Sequence, residues 1–356
     1  MNSIIIGTGS YIPTKKVYNK DFLRNVFYDS EGNKLRKTNE EIIKHFEKIT
    51  GIIKRRYVTN DFLTSDIAFF AAEDALASSK IDKESLDYII VAHNFGDVRA
   101  DNKRSDNIPT IAAKVKHKLR IANPQTIPYD LPFGCPGWLQ GMIQADYYLK
   151  SGDAKRALII GAETLSRVSD PHDRDSMIYS DGAGATIIEA ITSKEPVGIL
   201  SHSTRSDTLE QAYLLWVNKS YNPDYEGNEL YLKMNGRMVY EYALKTVPQV
   251  IKKSIEKAGL SINDIHKVLI HQANAKMDEA ILKRLYILYG EKDIPPDVMP
   301  MIISWLGNSS VATVPTLLDL LLKGQLNKHD LKKGDIIVFG SVGAGMNINS
   351  MVYKIP

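Results

Sequence analysis

Three residue types that could act together on a carbonyl compound stand at separate points of this chain: a cysteine, a histidine and an asparagine. Cys135 is the only cysteine among the 356 residues and lies in the stretch LPFGCPGW. His271 follows the apolar run KVLI, and Asn308 lies in a Gly-Asn-Ser-Ser loop. A thiolate is a nucleophile, while an imidazole N–H and an amide NH₂ can donate hydrogen bonds to a developing oxyanion. Each residue alone is equally compatible with a structural role, so their placement must decide.

The surroundings of Cys135 predict that it stands at, or just before, the N-terminus of a helix. Proline is favoured in the first helical turn, and Pro136 is followed by apolar residues at helical spacing as far as Gly152. The sulfur would then face free backbone N–H groups and the positive end of the helix dipole, which would lower its pKa from about 8.5. Free cysteines are also common in protein cores, so packing and catalysis both remain open at this point.

Composition is that of an ordinary folded protein, with 44% hydrophobic and 24% charged residues. The net charge of +3 is too small to indicate nucleic acid as the main partner. A single cysteine cannot form an internal disulfide, and the N-terminal residues lack the pattern of a secretory signal. No run approaches the roughly 18 apolar residues that cross a bilayer. We therefore expect a cytoplasmic protein without membrane insertion.

Short β-branched runs alternate with helical patterns along the chain, which indicates an α/β fold with a mostly parallel sheet. The chain also repeats itself at one offset (260 − 81 = 179), in three pairs: 81–92 and 260–271, 157–161 and 336–340, and Pro136 and Pro315. A single offset near half the chain length indicates a duplicated unit. We predict an N-terminal half, residues 1–192, with the cysteine, and a C-terminal half, residues 193–356, with the histidine and the asparagine.

These segments, in this order and spacing, resemble the 3-oxoacyl-acyl carrier protein synthase III family, the initiating ketosynthases of the thiolase superfamily. The likeness covers nearly the whole chain and rests on these motifs: IIGTGSYIP near the start, TGI at 50–52, DGAGATI ending at 187, HQAN at 271–274 and GNSSVATVP at 307–315. The resemblance implies a thiolase-like five-layered αβαβα fold of two duplicated halves. It also implies a homodimer.

The resemblance further implies a decarboxylative condensation. The Cys135 thiolate would take an acyl group from a thioester, and loss of CO₂ from malonyl-acyl carrier protein would give an enolate that attacks this acyl group. His271 and Asn308 would donate hydrogen bonds to the enolate oxygen, and the backbone N–H groups of Cys135 and Ala344 would form an oxyanion hole. The partners would be acyl carrier protein and an acyl-CoA or acyl-carrier protein primer, with neither a cofactor nor a metal.

Other members of the superfamily fit the residues less well. Thiolases use a second catalytic cysteine, which this chain lacks. Elongating ketosynthases use two histidines, where the second position here is Asn308, and a hydroxymethylglutaryl-CoA synthase needs a glutamate that is absent from residues 97–110. The alternative that stays open is a type III-like ketosynthase of a specialised lipid or polyketide pathway with a non-acetyl primer.

Several positions depart from the family pattern or are candidates for binding substrate. His45 and Ile49 lie near the places where the family has a tryptophan and an arginine for CoA, and Lys276 lies where it often has an arginine for CoA or carrier protein. Ile108 and Trp138 are candidates for the acyl pocket. We expect from these departures that the preferred primer differs from acetyl-CoA.

Overall fold

The computed structural model describes all 356 residues as a mixed α/β structure. Its strands are β1 (Asn2–Tyr11), β2 (Lys15–Tyr18), β3 (Lys54–Tyr57), β4 (Tyr88–His93), β5 (Asp97–Val98), β6 (Ser105–Asp106), β7 (Ile127–Pro132), β8 (Arg156–Thr164), β9 (Asp181–Ile191), β10 (Gly198–Ser206), β11 (Leu215–Asn218), β12 (Tyr231–Met234), β13 (Lys267–Ile270), β14 (Ile336–Gly343) and β15 (Asn347–Lys354).

The helices differ widely in length, from single turns to more than five turns. They are α1 (Asn39–Thr50), α2 (Thr64–Ser79), α3 (Ile111–Lys118), α4 (Gly137–Ser151), α5 (Thr208–Gln211), α6 (Gly236–Lys257), α7 (Ala275–Ile287), α8 (Ile303–Leu306) and α9 (Thr313–Leu322). No helix combines the length and the apolar character that crossing a membrane would require.

The structure has two large sheets, as the five-layered arrangement implies, but neither is mostly parallel as the alternation of strands and helices predicts. One has the order β1-β9-β8-β4-β7 and the other the order β10-β15-β14-β13. Four of their seven strand pairings are antiparallel, and only β4 with β7, β4 with β8, and β13 with β14 are parallel. The prediction was wrong because strands that follow one another directly, such as β14 and β15, pair antiparallel and need no crossover helix.

The two sheets have the same internal order. The series β1-β9-β8-β4 corresponds strand for strand to β10-β15-β14-β13, and β4 and β13 begin 179 residues apart (267 − 88 = 179). This is the arrangement expected of a duplicated unit. Residues 192–197 connect β9 to β10. The division of the chain at 192/193 stays a prediction.

Helices and sheets alternate in five layers. Helices α2 and α3 cover the outer face of the first sheet, α4 and α9 lie between the sheets, and α6 and α7 cover the outer face of the second. Every residue of α9 except Leu322 at its C-terminal end is buried, as expected for a helix with a sheet on both sides. The central layer brings the N-termini of α4 and α9, one from each half, into the interior of the molecule.

Candidate active site

Four segments of the chain meet at one apolar cavity of about 240 Å³, which we call the cysteine cavity. Cys135 enters it from the loop between β7 and α4, His271 from the end of β13, Asn308 from the loop before α9, and Ala344 from the end of β14. Three of these positions follow the carboxyl ends of strands, where ligand sites of α/β folds are found. The structure therefore brings together Cys135, the predicted nucleophile, and its predicted partners from both halves.

The backbone at Cys135 is held tightly by two glycines. Gly134 has φ +75°, and a side chain there would come 3.2 Å from the backbone nitrogen of Ala344. A side chain on Gly343 would come 2.6 Å from the backbone nitrogen of Cys135. Only glycine allows the end of β14 to approach the nucleophile this closely. Pro136 is the N-cap of α4, so Cys135 lies just before the helix, as predicted.

The predicted lowering of the cysteine pKa is wrong for the structure without substrate. Burial in the apolar cavity raises the pKa of the Cys135 thiol to about 11, and the nearby carboxyl of Glu163 acts in the same direction. The hydroxyl of Ser310, which donates to Sγ over 3.2 Å, opposes this shift. The thiol is therefore neutral near pH 7, because loss of water from around the sulfur outweighs its position before the helix.

His271 is also held in its neutral form. Its backbone N–H donates to the carbonyl of Gly340 over 2.8 Å, which fixes the residue directly after β13. Burial lowers the pKa of the imidazole to about 4. The ring nitrogen Nδ1 is buried and has no hydrogen-bond partner. A neutral imidazole has one N–H donor and one acceptor nitrogen, so His271 can both donate to an oxyanion and accept a proton.

Asn308 presents its amide NH₂ as a free donor. Its backbone exchanges hydrogen bonds with Ile178 (3.0 Å) and Ser180 (2.8 Å), which tie the loop to the chain before β9. Its side-chain oxygen accepts the backbone N–H of Ser310 over 2.8 Å. Because the oxygen is already used, Nδ2 is the atom of this side chain left to bind a ligand in the cavity.

A second cavity of about 400 Å³ adjoins the first and is lined by several cations, and we call it the basic cavity. Lys37, Arg174 and Arg237 line it, with Asp175 as the only carboxylate. Five residues line both cavities: Met234, Val239, Ala273, Met277 and Asn308. The basic cavity therefore lies directly beside the cysteine cavity, and these five residues border both.

The structure places the remaining predicted residues differently. Trp138 does not line either cavity, because its place on α4 turns it into the core, edge-on to Phe339 at 5.9 Å between ring centroids. Ile108 is 89% exposed on a loop and does not reach the cysteine cavity of its own chain. Lys276 is exposed in the first turn of α7, whose neighbouring residues line the basic cavity. The roles of these residues in catalysis or binding stay predictions.

His45 and Ile49, which depart from the family pattern, both lie on α1 and line the basic cavity. They therefore lie at this cavity and not in an unrelated loop. The sequence prediction missed Ser310, Asn94 and Arg174, which also line the two cavities. Asn94 directly follows β4, and its position at the carboxyl end of a strand could have identified it.

Comparison with known proteins agrees with this geometry. The family model described as 3-oxoacyl-[acyl-carrier-protein (ACP)] synthase III matches residues 129–208, and its C-terminal counterpart matches 255–355. The chain is 31% identical to a β-ketoacyl-[acyl-carrier-protein] synthase III from Ehrlichia chaffeensis and 32% identical to one from Staphylococcus haemolyticus. In both comparisons 99% of this chain and 99% of the relative are covered.

A solved structure of a β-ketoacyl-[acyl carrier protein] synthase III from Thermus thermophilus superposes on this chain with a TM-score of 0.80 and 30% sequence identity. The match covers 99% of this chain and 99% of that one. The fold and the cysteine site define a condensing enzyme of the thiolase type. The chain belongs to the 3-oxoacyl-acyl carrier protein synthase III family, and the resemblance seen in the sequence is confirmed. It is an acyltransferase, and the comparisons do not favour the alternative of a specialised pathway.

Proposed function

We propose that this enzyme condenses a cysteine-bound acyl primer with malonyl-acyl carrier protein, and that the 3-oxoacyl-acyl carrier protein formed initiates fatty acid biosynthesis. The observation that carries this proposal is the meeting of Cys135, His271 and Asn308 at one apolar cavity, although they come from three distant segments. The apolar walls suit an acyl chain, and the three polar side chains suit the chemistry at its thioester end.

The first step transfers the acyl group to the enzyme. The Sγ atom of Cys135 attacks the thioester carbonyl, and the thiol proton passes through the neutral imidazole of His271 to the leaving thiolate. Because burial leaves the pKa of the thiol at about 11 and that of the imidazole at about 4, this proton is moved only during the reaction. The backbone N–H groups of Cys135 and Ala344 are proposed to hold the carbonyl oxygen as it becomes negative.

The second step forms the carbon–carbon bond. Loss of CO₂ from the malonyl thioester leaves an enolate, whose oxygen receives hydrogen bonds from Nδ2 of Asn308 and an N–H of His271. The enolate carbon attacks the acyl-cysteine, the carbon–sulfur bond breaks, and the released Cys135 thiolate takes a proton from solvent water. A neutral amide cannot remove a proton from carbon, so decarboxylation is the route to the carbanion.

The basic cavity is proposed to admit the thioester substrates. Its three cations and single carboxylate suit the phosphate groups of CoA or of the prosthetic arm of acyl carrier protein. We propose that Lys276, beside this cavity, adds to the surface that carrier protein approaches. A homodimer, a cytoplasmic location and a reaction without cofactor or metal complete the proposal and rest on the family resemblance.

The test is the product formed from malonyl-acyl carrier protein and a panel of acyl-CoA and acyl-carrier protein primers. Mass spectrometry is expected to show a 3-oxoacyl product two carbons longer than the accepted primer, with longer acyl groups preferred over acetyl. The variant C135S is expected to give no product. Condensation at the normal rate by C135S would overturn the proposal, and turnover with acetyl-CoA equal to or above that with longer primers would overturn the predicted primer preference.

A further inference from the structure

A chain of hydrogen bonds links the sulfur of Cys135 to a buried carboxyl group. The hydroxyl of Ser310 donates to Sγ over 3.2 Å, and Nδ2 of Asn94 donates to the Ser310 hydroxyl over 3.1 Å. The same Nδ2 donates to Oε2 of Glu163 over 2.5 Å. The chain therefore runs from Cys135 through Ser310 and Asn94 to Glu163, and involves residues of β8 and of the loops after β4 and before α9.

The number of available protons fixes the direction of each bond. The Ser310 hydroxyl has one proton, which it gives to sulfur, so it must accept at its oxygen. The two amide protons of Asn94 serve Ser310 and Glu163, and its backbone N–H also donates to Glu163 over 2.8 Å. Both amide protons of Asn94 are used, and the Ser310 oxygen accepts one of them, so the single Ser310 proton is directed at the sulfur.

Glu163 is fully buried and only partly satisfied. Its Oε2 accepts both bonds from Asn94, whereas Oε1 is buried without a partner. Burial raises the pKa of this carboxyl to about 7, while the nearby His93 ring and the Asn94 donors oppose the rise. Glu163 therefore changes between its neutral and ionised forms near neutral pH, and its negative charge disfavours a second negative charge on Cys135.

We propose that Ser310 is a further catalytic residue, which stabilises the thiolate of Cys135. Asn94 and Glu163 are positioning residues: Asn94 orients the Ser310 hydroxyl, and the charge of Glu163 governs how readily the thiol ionises. The inference deepens the proposed function and rests on Cys135 as the acyl-carrying nucleophile. A hydroxyl proton bonded to a thiolate favours the charged form, whereas ionised Glu163 opposes it.

Tyr179 and His271, two other titratable groups of the cysteine cavity, stay neutral around pH 7. Tyr179 lines the cysteine cavity, and burial raises its pKa well above 10, so it stays neutral. His271 is neutral because burial lowers its pKa to about 4. His93 bonds to Asp130 over 3.0 Å on the side away from its Nδ1, which accepts the backbone N–H of Gly96.

The backbone at Ser310 requires that the variants be chosen with care. Ser310 has φ +53°, a conformation that costs energy for any residue except glycine. S310A removes the hydroxyl and keeps the strain, whereas S310G removes the hydroxyl and relieves it. An effect common to both variants therefore belongs to the hydroxyl and not to the backbone. Ser309, whose hydroxyl pairs with Thr313 at 3.4 Å, offers the matched control S309A.

The experiment follows the rate at which methyl methanethiosulfonate, a small neutral thiol reagent, modifies Cys135 between pH 6 and pH 9, without any substrate. Because the chain has one cysteine, the mass gain of the intact protein reports this thiol alone. S310A and S310G are expected to react about tenfold more slowly than the native enzyme, which corresponds to a thiol pKa about one unit higher. S309A is expected to react at the native rate.

E163Q is expected to have the opposite effect, because it keeps an acceptor for Asn94 and removes the charge. The rate of Cys135 modification in E163Q divided by that in the native enzyme is expected to be near one at pH 6. This ratio is expected to rise several-fold by pH 9, because Glu163 of the native enzyme ionises over this range and slows its thiol. An S310A rate equal to that of the native enzyme, or an E163Q rate that falls as in S310A, would overturn the inference. The proposed function is tested by a different measurement, the condensation product. A native enzyme that shows this thiol reactivity but forms no condensation product would contradict the proposed function and leave the inference on Ser310 standing.

Discussion

At the scale of the residue, burial determines how this site works. The same enclosure raises the pKa of Cys135 to about 11 and lowers that of His271 to about 4, so both are neutral before substrate binds. Glu163 is linked to Cys135 by hydrogen bonds through Ser310 and Asn94, and burial raises the pKa of its carboxyl to about 7. With the thiol and the imidazole both neutral, an acyl chain can enter beside them at low desolvation cost, and the charges on these two groups arise only as the reaction proceeds.

The ionisation of Glu163 can be tested by stability. Its pKa is about 7 in the folded protein against a usual value of 4.5, so the folded state binds more protons and stability falls as pH rises from about 4.5 to about 7. E163Q removes this titration. The free energy of unfolding of E163Q relative to the native enzyme is therefore expected to rise by about 3 kcal/mol between pH 4.5 and pH 8.

Urea unfolding at a series of pH values measures this difference. Glu73 is exposed on α2, so E73Q serves as a matched control. The unfolding free energy of E73Q is expected to differ from that of the native enzyme by nearly the same amount at every pH. A difference between E163Q and the native enzyme that does not change with pH would show that the pKa of Glu163 is the same in the folded and unfolded states, which would contradict the raised pKa.

At the scale of the element, the hairpin of β11 and β12 forms one wall of the cysteine cavity. Leu232 and Met234 of β12 line the cavity, while Lys233 between them points to the opposite face. Lys233 is fully buried, its Nζ lies 2.5 Å from Oδ2 of Asp170, and it lies 3.4 Å from the centroid of the Tyr221 ring. This ion pair connects β12 to the segment that begins at Asp170 and continues to Arg174, which lines the basic cavity.

Replacing Lys233 by methionine tests the ion pair. K233M keeps most of the side-chain volume but leaves the buried carboxylate of Asp170 without its cation, so a loss of about 3 to 5 kcal/mol in unfolding free energy is expected. Denaturant unfolding measures the loss. Lys219 is exposed on the connection between the same two strands, and K219M is expected to change stability by less than about 0.5 kcal/mol. Native stability in K233M would contradict a structural role for the pair.

At the scale of the whole molecule, the sequence was enough to predict the duplication and the meeting of the main residues. The 179-residue offset relates β4 to β13, and it places Cys135 and Asn308 before the two central helices. The roles predicted for His271 and Asn308 came from the family motifs HQAN and GNSSVATVP. Chemistry that depends on residue type and on position at a strand end is therefore readable without coordinates.

What the sequence could not predict depends on contacts between distant segments. The hydrogen-bond chain joins Ser310 to Asn94 across 216 positions, and no local pattern indicates such a pairing. The pKa of Cys135 was predicted in the wrong direction because the helix N-terminus is a local feature, whereas burial is set by the whole fold. Trp138 was placed at the substrate because neither its helix face nor its contact with Phe339 could be known.

The central claim is that Cys135 carries the acyl group and that Asn308 promotes the condensation that removes it. N308D tests both parts, because aspartate keeps the oxygen that accepts from the Ser310 backbone and loses the NH₂ donor. Intact-protein mass spectrometry can follow an acyl adduct formed from acyl-CoA and its discharge on addition of malonyl-acyl carrier protein.

The native enzyme is expected to gain one acyl group on Cys135 when it is incubated with acyl-CoA. It is expected to lose this group within the time needed to mix in malonyl-acyl carrier protein. N308D is expected to gain the same adduct and to discharge it at least about a hundredfold more slowly, as for the loss of an oxyanion donor. The absence of an adduct on Cys135, or discharge by N308D at the native rate, would contradict the account.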